Sequence, residues 1–144
     1  MKWIDPVTID SLLDAMLSDP SSAPPSSNSV YLVSRHSWNG KPDSGCAPLY
    51  IGSNTQNPDR FRTRIGDLLA DAFGFFTDAS GHHSGEQSLN EYCQREKVNP
   101  KQLYIGWLTR CACSRCAENE LYETLRPLLN KNRPSKCKAH HKDS

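Results

Sequence analysis

Three cysteines stand close together directly before a predicted helix near the C-terminus. Residues 111–130 are CACSRCAENELYETLRPLLN, which contains a C-x2-C motif, and a C-x2-H motif follows after 20 intervening residues. Paired motifs of this kind are typical of tetrahedral zinc sites built from thiolate and imidazole ligands. We therefore predict a structural zinc that joins the two ends of the helix. The predicted ligands are Cys113, Cys116, Cys137 and His140, with Cys111 or His141 as substitutes.

Cys46 and Cys93 are isolated in the sequence and are interpreted as thiols in or near the core. The start of the chain lacks the unbroken apolar stretch of a signal peptide, and no apolar run approaches the roughly 20 residues of a membrane span. These features predict a cytoplasmic protein, in which thiols stay reduced. A disulfide framework is therefore disfavoured, and the alternative to zinc is six reduced, unligated cysteines.

Glu118 lies on the apolar stripe of the same predicted helix. It shares helical spacing with four apolar or aromatic residues, whereas Glu120 and Glu123 fall on the other side. The four residues are Leu121, Tyr122, Leu125 and Leu129. A carboxylate on an inward face must be paired, protonated or bound to a cation. An arginine partner or the helix dipole would satisfy it, and the alternative is a ligand for a hard divalent metal.

Basic residues are concentrated in two places although the net charge is only +1. The segment RFRTR covers residues 60–64, and the tail 131–144 holds five Lys or Arg against one Asp. Local basic clusters can bind phosphates in a chain that is nearly neutral overall. A solvated, charged surface is the alternative interpretation of both segments.

The 144 residues suit one domain, and the apolar patterns predict an α+β fold. A small central three-stranded sheet, formed by residues 29–35, 49–53 and 102–110, is flanked by helices at 57–76, 89–97 and 116–129, with loops at 36–48 and 77–88. An amphipathic helix at 1–18, followed by a linker at 19–28, is predicted to be an N-terminal appendage. The domain itself spans 29–132, and the basic tail 133–144 closes the zinc site.

Taken together, the order of motifs resembles the GIY-YIG nuclease superfamily, including the nuclease domain of UvrC and the homing and restriction endonucleases. The motifs are VYLV at 30–33, LYIGSN at 49–54, an arginine on the next helix, and AENELYETLRPLLN at 117–130. Ser29-Val30-Tyr31 stands where Gly-Ile-Tyr is usual in the family. The resemblance covers about residues 29–132 and implies a GIY-YIG-like sheet and helices.

The resemblance also implies roles for individual residues. Glu118 would hold one Mg²⁺ or Mn²⁺ ion at the scissile phosphate, and Tyr31 or Tyr50 would accept a proton from the attacking water. The helix arginine would neutralise the phosphoryl group. It matches Arg64, but the longer spacing from Gly52 leaves Arg60 and Arg62 as alternatives. Asn130 would anchor the end of the catalytic helix, and His83 is similar to a histidine of some homing endonucleases. Without these motifs, Tyr31 and Tyr50 would be interpreted as core aromatics.

Two functions follow from this sequence. The first is a divalent-metal-dependent DNA endonuclease, active in restriction, mobile-element or phage-related DNA processing. The second is a catalytically inactive, zinc-supported module that binds nucleic acid through residues 60–64 and the tail. In either case the helix at 1–18 could mediate a homodimer or dock a protein partner. No feature of the sequence predicts a membrane partner.

Overall fold

A computed structural model of the chain describes residues 2–19, 29–53, 84–109, 111 and 113–130. Within these ranges the protein is an α+β fold in which helices cover both faces of one antiparallel sheet. The predicted helix at 57–76, most of the loop at 77–88 and the tail lie outside the described residues. No helix in the described part of the chain is both long and apolar enough to span a bilayer.

In the described residues, five antiparallel strands occupy four positions in the sheet. They are β1 (Lys2–Trp3), β2 (Val7–Thr8), β3 (Val30–Ser34), β4 (Pro48–Ser53) and β5 (Tyr104–Thr109). Strand β3 lies between β4 and β5, which agrees with its run of apolar residues on both faces. Strands β1 and β2 both pair with β5 and share the remaining position. The prediction of three strands was therefore wrong.

The extra position exists because the N-terminal segment completes the backbone pairing of β5. Ile4 N–H donates to Trp107 O and Ile9 N–H donates to Leu103 O, both at 2.9 Å. Without these residues β5 would present an unpaired edge, which proteins generally avoid. Strands of two residues are too short to produce an alternating pattern, so they could not be predicted from local sequence.

Helix α1 (Ile9–Ser18) consequently starts later than predicted. Thr8 caps it, because its Oγ1 accepts a hydrogen bond from Ser11 N–H at 3.1 Å. Ile9 is 0% exposed and Leu12 is 3% exposed, and both belong to the core beside β3 and β4. A helix spanning 1–18 as an appendage was therefore a wrong prediction: the segment supplies both sheet edge and core.

Two further helices cover opposite faces of the sheet. Helix α2 (Ser84–Glu96) confirms the predicted helix at 89–97 but begins inside the predicted loop. Together with α1 it covers the face that carries Tyr31, Val33 and Tyr50, which we call the tyrosine face. Helix α3 (Ser114–Leu125) packs on the other face, against Val30, Leu32 and Ile51. The sheet is thus the middle layer of three.

Helix α3 ends four residues before its predicted end. Arg126 adopts the left-handed conformation, with φ at 50°, and its N–H donates to Tyr122 O at 2.9 Å. Pro127 follows and cannot continue the helical hydrogen bonding. Leu129 is buried, but it lies in a turn after the helix and joins the core on the tyrosine face rather than the core beneath α3.

Candidate functional site at the end of strand β4

Glu118 lies in the second turn of α3 and reaches the end of β4. The buried Leu121 and Leu125 hold the helix against the sheet, and Glu118 itself is half-buried. Its Oε2 accepts a hydrogen bond from Ser53 Oγ at 2.6 Å. Distances of about 2.5–2.7 Å are typical of hydroxyl groups that donate to an ionised carboxylate. The last residue of β4 therefore orients this carboxylate.

Sequence reasoning missed Ser53, although a signal was available. Side chains alternate along a strand, so Ser53 shares a face with Ile51, and Ile51 packs beneath α3. The register agrees, because Ser53 pairs with Val30 on that same face. A hydroxyl at this strand end was the nearest polar group for a helix carboxylate that faces the sheet.

Tyr31 and Tyr50 lie together on the tyrosine face, with ring centroids 6.1 Å apart and planes tilted by 42°. Tyr31 is 0% exposed and Tyr50 is 7% exposed. Tyr31 pairs with Gly52 across the strands, and its ring lies over that glycine. A Cβ on residue 52 would overlap the phenol, so glycine is required for this packing. The burial of both rings is what their interpretation as core aromatics predicts.

The register places these tyrosines and the Ser53–Glu118 pair on opposite faces of the sheet. They nevertheless converge on consecutive residues, because Tyr31 covers Gly52 and Glu118 accepts from Ser53. The candidate site is therefore the end of β4, where the described chain stops before residue 54.

Asn130 holds a different part of β4. Its Oδ1 accepts from Ile51 N–H at 2.8 Å, and its Nδ2 donates to Ile51 O at 3.0 Å. Leu129 N–H donates to Leu49 O at 2.7 Å, so residues 128–130 run beside β4 and cover its outer edge. Asn130 therefore fixes the strand that carries Ser53. The resemblance implied that Asn130 anchors the end of the catalytic helix. In the structure α3 finishes at Leu125, and the side chain of Asn130 binds β4 instead.

The C-x2-C motif lies at the start of α3. Cys113 is the N-cap residue, with extended backbone angles and no side-chain capping hydrogen bond, and Cys116 belongs to the first turn. Both side chains are half-exposed. Burial raises the pKa of the other described thiols, Cys46, Cys93 and Cys111, and that of Cys93 reaches about 11 despite the nearby Arg35. The motif cysteines are thus the accessible ones in the described chain.

Several predicted site residues lie outside the described ranges. They are Arg60, Arg62, Arg64, His83, Cys137, His140 and His141. Among the residues that are described, no three His, Cys, Asp or Glu side chains cluster closely enough to hold a metal ion. At the end of β4 the described chain joins Glu118 to Ser53 on one face and Tyr31 to Gly52 on the other, and Asn130 binds Ile51 of the same strand.

Comparisons with protein-family models, curated proteins and solved structures found no match to this chain.

Proposed function

We propose that this protein is a divalent-metal-dependent endonuclease of the GIY-YIG type that hydrolyses DNA phosphodiester bonds. The observation that supports it is the Ser53–Glu118 hydrogen bond of 2.6 Å at the end of β4. A half-buried carboxylate, oriented by a hydroxyl, provides oxygen donors of the kind that Mg²⁺ and Mn²⁺ accept. One carboxylate is sufficient for Mg²⁺, which usually keeps several waters and also binds substrate phosphate.

Glu118 would hold the metal, which when bound supplies charge neutralisation at the scissile phosphate. Ser53 orients Glu118, and Asn130 fixes the strand from which Ser53 projects. One of the phenols, Tyr31 or Tyr50, would accept a proton from the attacking water. Nearby positive charge must lower its pKa from the usual value of about 10.

The cation at the phosphoryl group would be Arg64, with Arg60 or Arg62 as alternatives. These arginines lie 7 to 11 residues after Ser53, the last residue of β4. The segment that contains them therefore starts at the strand end where Glu118 and Ser53 meet. This continuity of the chain supports the assignment of an arginine to the site.

The deciding experiment is cleavage of supercoiled plasmid DNA with and without Mg²⁺ or Mn²⁺. We expect metal-dependent nicking or linearisation by the natural sequence, and a loss of at least ~100-fold in Glu118→Ala, more than removal of an outer orienting group usually costs. Glu120→Ala is the matched control, since Glu120 is exposed on the same helix. Cleavage that persists in Glu118→Ala would contradict the proposed site.

A second function is favoured by the burial of the tyrosines. If Tyr31 and Tyr50 serve only the core, the protein would be an inactive, zinc-supported module that binds nucleic acid. The same experiment separates the two functions. A protein that retards plasmid on a gel, but cleaves none of it in either metal, would be the binding module.

A further inference from the structure

A half-buried arginine lies at the far end of β3 from the candidate site. Arg35 follows the last residue of the strand, and its N–H donates to Ala47 O at 3.1 Å, which fixes its backbone. Its side chain turns to the tyrosine face, where Nη1 donates to the hydroxyl of Tyr92 at 3.0 Å. Tyr92 belongs to α2 and is buried in the core of that face. The hydroxyl of Tyr92, whose ring is buried, thus positions the guanidinium.

Within the described part of the chain, no ion pair to a carboxylate neutralises this arginine. Ion pairs among the described residues join Arg95 to Glu96 and Arg126 to Glu123, and neither involves Arg35. A guanidinium has five N–H donors, so a single bond to Tyr92 leaves about four for another acceptor. Partly buried cations are usually paired, because removing a charge from water is costly. The remaining donors of Arg35 therefore suit an anionic acceptor.

A second guanidinium lies at the same aromatic ring. Arg95, one turn along α2 from Tyr92, places Cζ 5.7 Å from the centre of the Tyr92 ring. Its ion pair with Glu96 has N–O separation of 3.5 Å between well-exposed side chains, and such pairs contribute little. Arg35 binds the hydroxyl of Tyr92 and Arg95 lies over its ring, so an anion placed near both guanidiniums would be attracted by two positive charges.

We propose that Arg35, positioned by Tyr92 and assisted by Arg95, binds a backbone phosphate of the nucleic-acid substrate away from the cleavage site. Arg35 is four residues beyond Tyr31, which corresponds to about 13 Å along a strand at ~3.3 Å per residue. Phosphates of one DNA strand recur about every 3.4 Å along the duplex axis, so a bound duplex would span both places. The inference rests on the proposed function, since it takes the anion to be nucleic acid.

Binding of a fluorescent 20-base-pair DNA duplex, measured by anisotropy at several NaCl concentrations in EDTA, tests the proposal without cleavage. We expect Arg35→Ala to raise Kd by roughly 10-fold near 0.1 M salt and to lower the slope of log K against log salt by about one. Arg35→Lys keeps the charge and should keep the slope. Tyr92→Phe should raise Kd with the slope unchanged, because it removes only the group that positions Arg35.

Arg126→Ala is the matched control, because Arg126 already has a carboxylate partner in Glu123 at 2.9 Å. It should change neither Kd nor slope. An Arg35→Ala slope equal to that of the natural sequence, or an equal effect of Arg126→Ala, would overturn the proposal, as would failure of the natural sequence to bind the duplex. Should Arg35→Ala fail to fold, by circular dichroism, Arg35→Gln replaces it.

Binding and cleavage are measured separately, so the two proposals can fail separately. Suppose that Arg35→Ala lowers the slope of log K against log salt, and that the natural sequence cleaves no plasmid with any metal. The phosphate site would then be supported and the nuclease rejected. Metal-dependent cleavage that requires Glu118, together with an unchanged slope in Arg35→Ala, would keep the nuclease and reject the phosphate site.

Discussion

Ser53 carries the most specific prediction that can be made for a single residue. Its hydroxyl donates to Glu118 at 2.6 Å, so it is a positioning residue for the proposed metal ligand. Groups that orient a metal ligand typically contribute 10–100-fold to metal affinity or activity. We expect Ser53→Ala to raise the Mn²⁺ concentration needed for half-maximal plasmid cleavage by about 10-fold or more.

Ser53→Thr keeps the hydroxyl and fits a strand end, so it should restore the metal dependence. Thermal melting of Ser53→Ala, followed by circular dichroism, separates this role from a structural one. Because the replaced side chain is small, the melting temperature of the variant should change little. If Ser53→Ala cleaved with an unaltered metal requirement, the hydrogen bond would be a packing contact only.

For helix α3, the local sequence predicted the helix and its inward glutamate but not the residue at which the helix ends. Its apolar spacing indicated a helix with an inward Glu118, and both the helix and the half-buried carboxylate are present. Its end was misplaced because the leucine spacing continues to Leu129, whereas the left-handed Arg126 and the following proline stop the helix. Apolar periodicity indicates which residues are buried, but it does not distinguish a helix from a turn that follows it and buries its leucine on the other face of the sheet.

The start of α3 provides a prediction about zinc, because the accessible Cys113 and Cys116 lie there. We propose that they bind zinc together with Cys137 and His140, or with Cys111 or His141 as substitutes. Cys113→Ser should abolish stoichiometric zinc, measured by mass spectrometry of metals after dialysis against a weak chelator. Serine is a better N-cap residue than cysteine, so the change should not weaken the helix itself.

Cys93→Ala is the control for the zinc measurement. Burial holds the pKa of Cys93 at about 11, so this thiol is a poor source of thiolate at neutral pH. The variant should retain about one zinc per chain. Natural protein that carries no zinc after purification with added zinc salt would instead favour six reduced, unligated cysteines.

At the scale of the whole molecule, the sequence predicted the layers better than it predicted the sheet edges. The central position of β3 followed from apolar residues on both faces, and its neighbours were located by similar short runs. The edge made by β1 and β2 depends on pairing with β5, a contact between residues about 100 positions apart. Such pairing is set by tertiary structure, which a local pattern does not encode.

The arrangement of the candidate site also depends on tertiary structure that a local sequence pattern does not encode. Residue types and spacing singled out Tyr31, Tyr50 and Glu118 one by one as candidates. Only the resemblance to a nuclease family assigned them to one active site. Whether they share a face of the sheet depends on register, which places Tyr31 and Glu118 on opposite faces. Ser53 became visible only when the strand end and the helix were seen together.

Helix α1 provides the prediction that distinguishes an integral element from an appendage. Ile9 is 0% exposed, and Leu17 on the same helix is 83% exposed. Ile9→Ala should lower the free energy of unfolding by about 2–5 kcal/mol, the usual range for removing a buried aliphatic side chain. Leu17→Ala should change it by no more than ~0.5 kcal/mol, as is usual for surface positions.

Urea denaturation followed by tryptophan fluorescence measures both free energies of unfolding, and an unchanged m-value would show that the unfolded state is unaffected. Equal, small effects of Ile9→Ala and Leu17→Ala would mean that the segment docks only weakly, as an appendage would. A large loss in Ile9→Ala alone would show that residues 1–18 are required for the fold. Any partner of this helix would then have to bind its outer surface, where Leu17 lies, and leave the inner surface in the core.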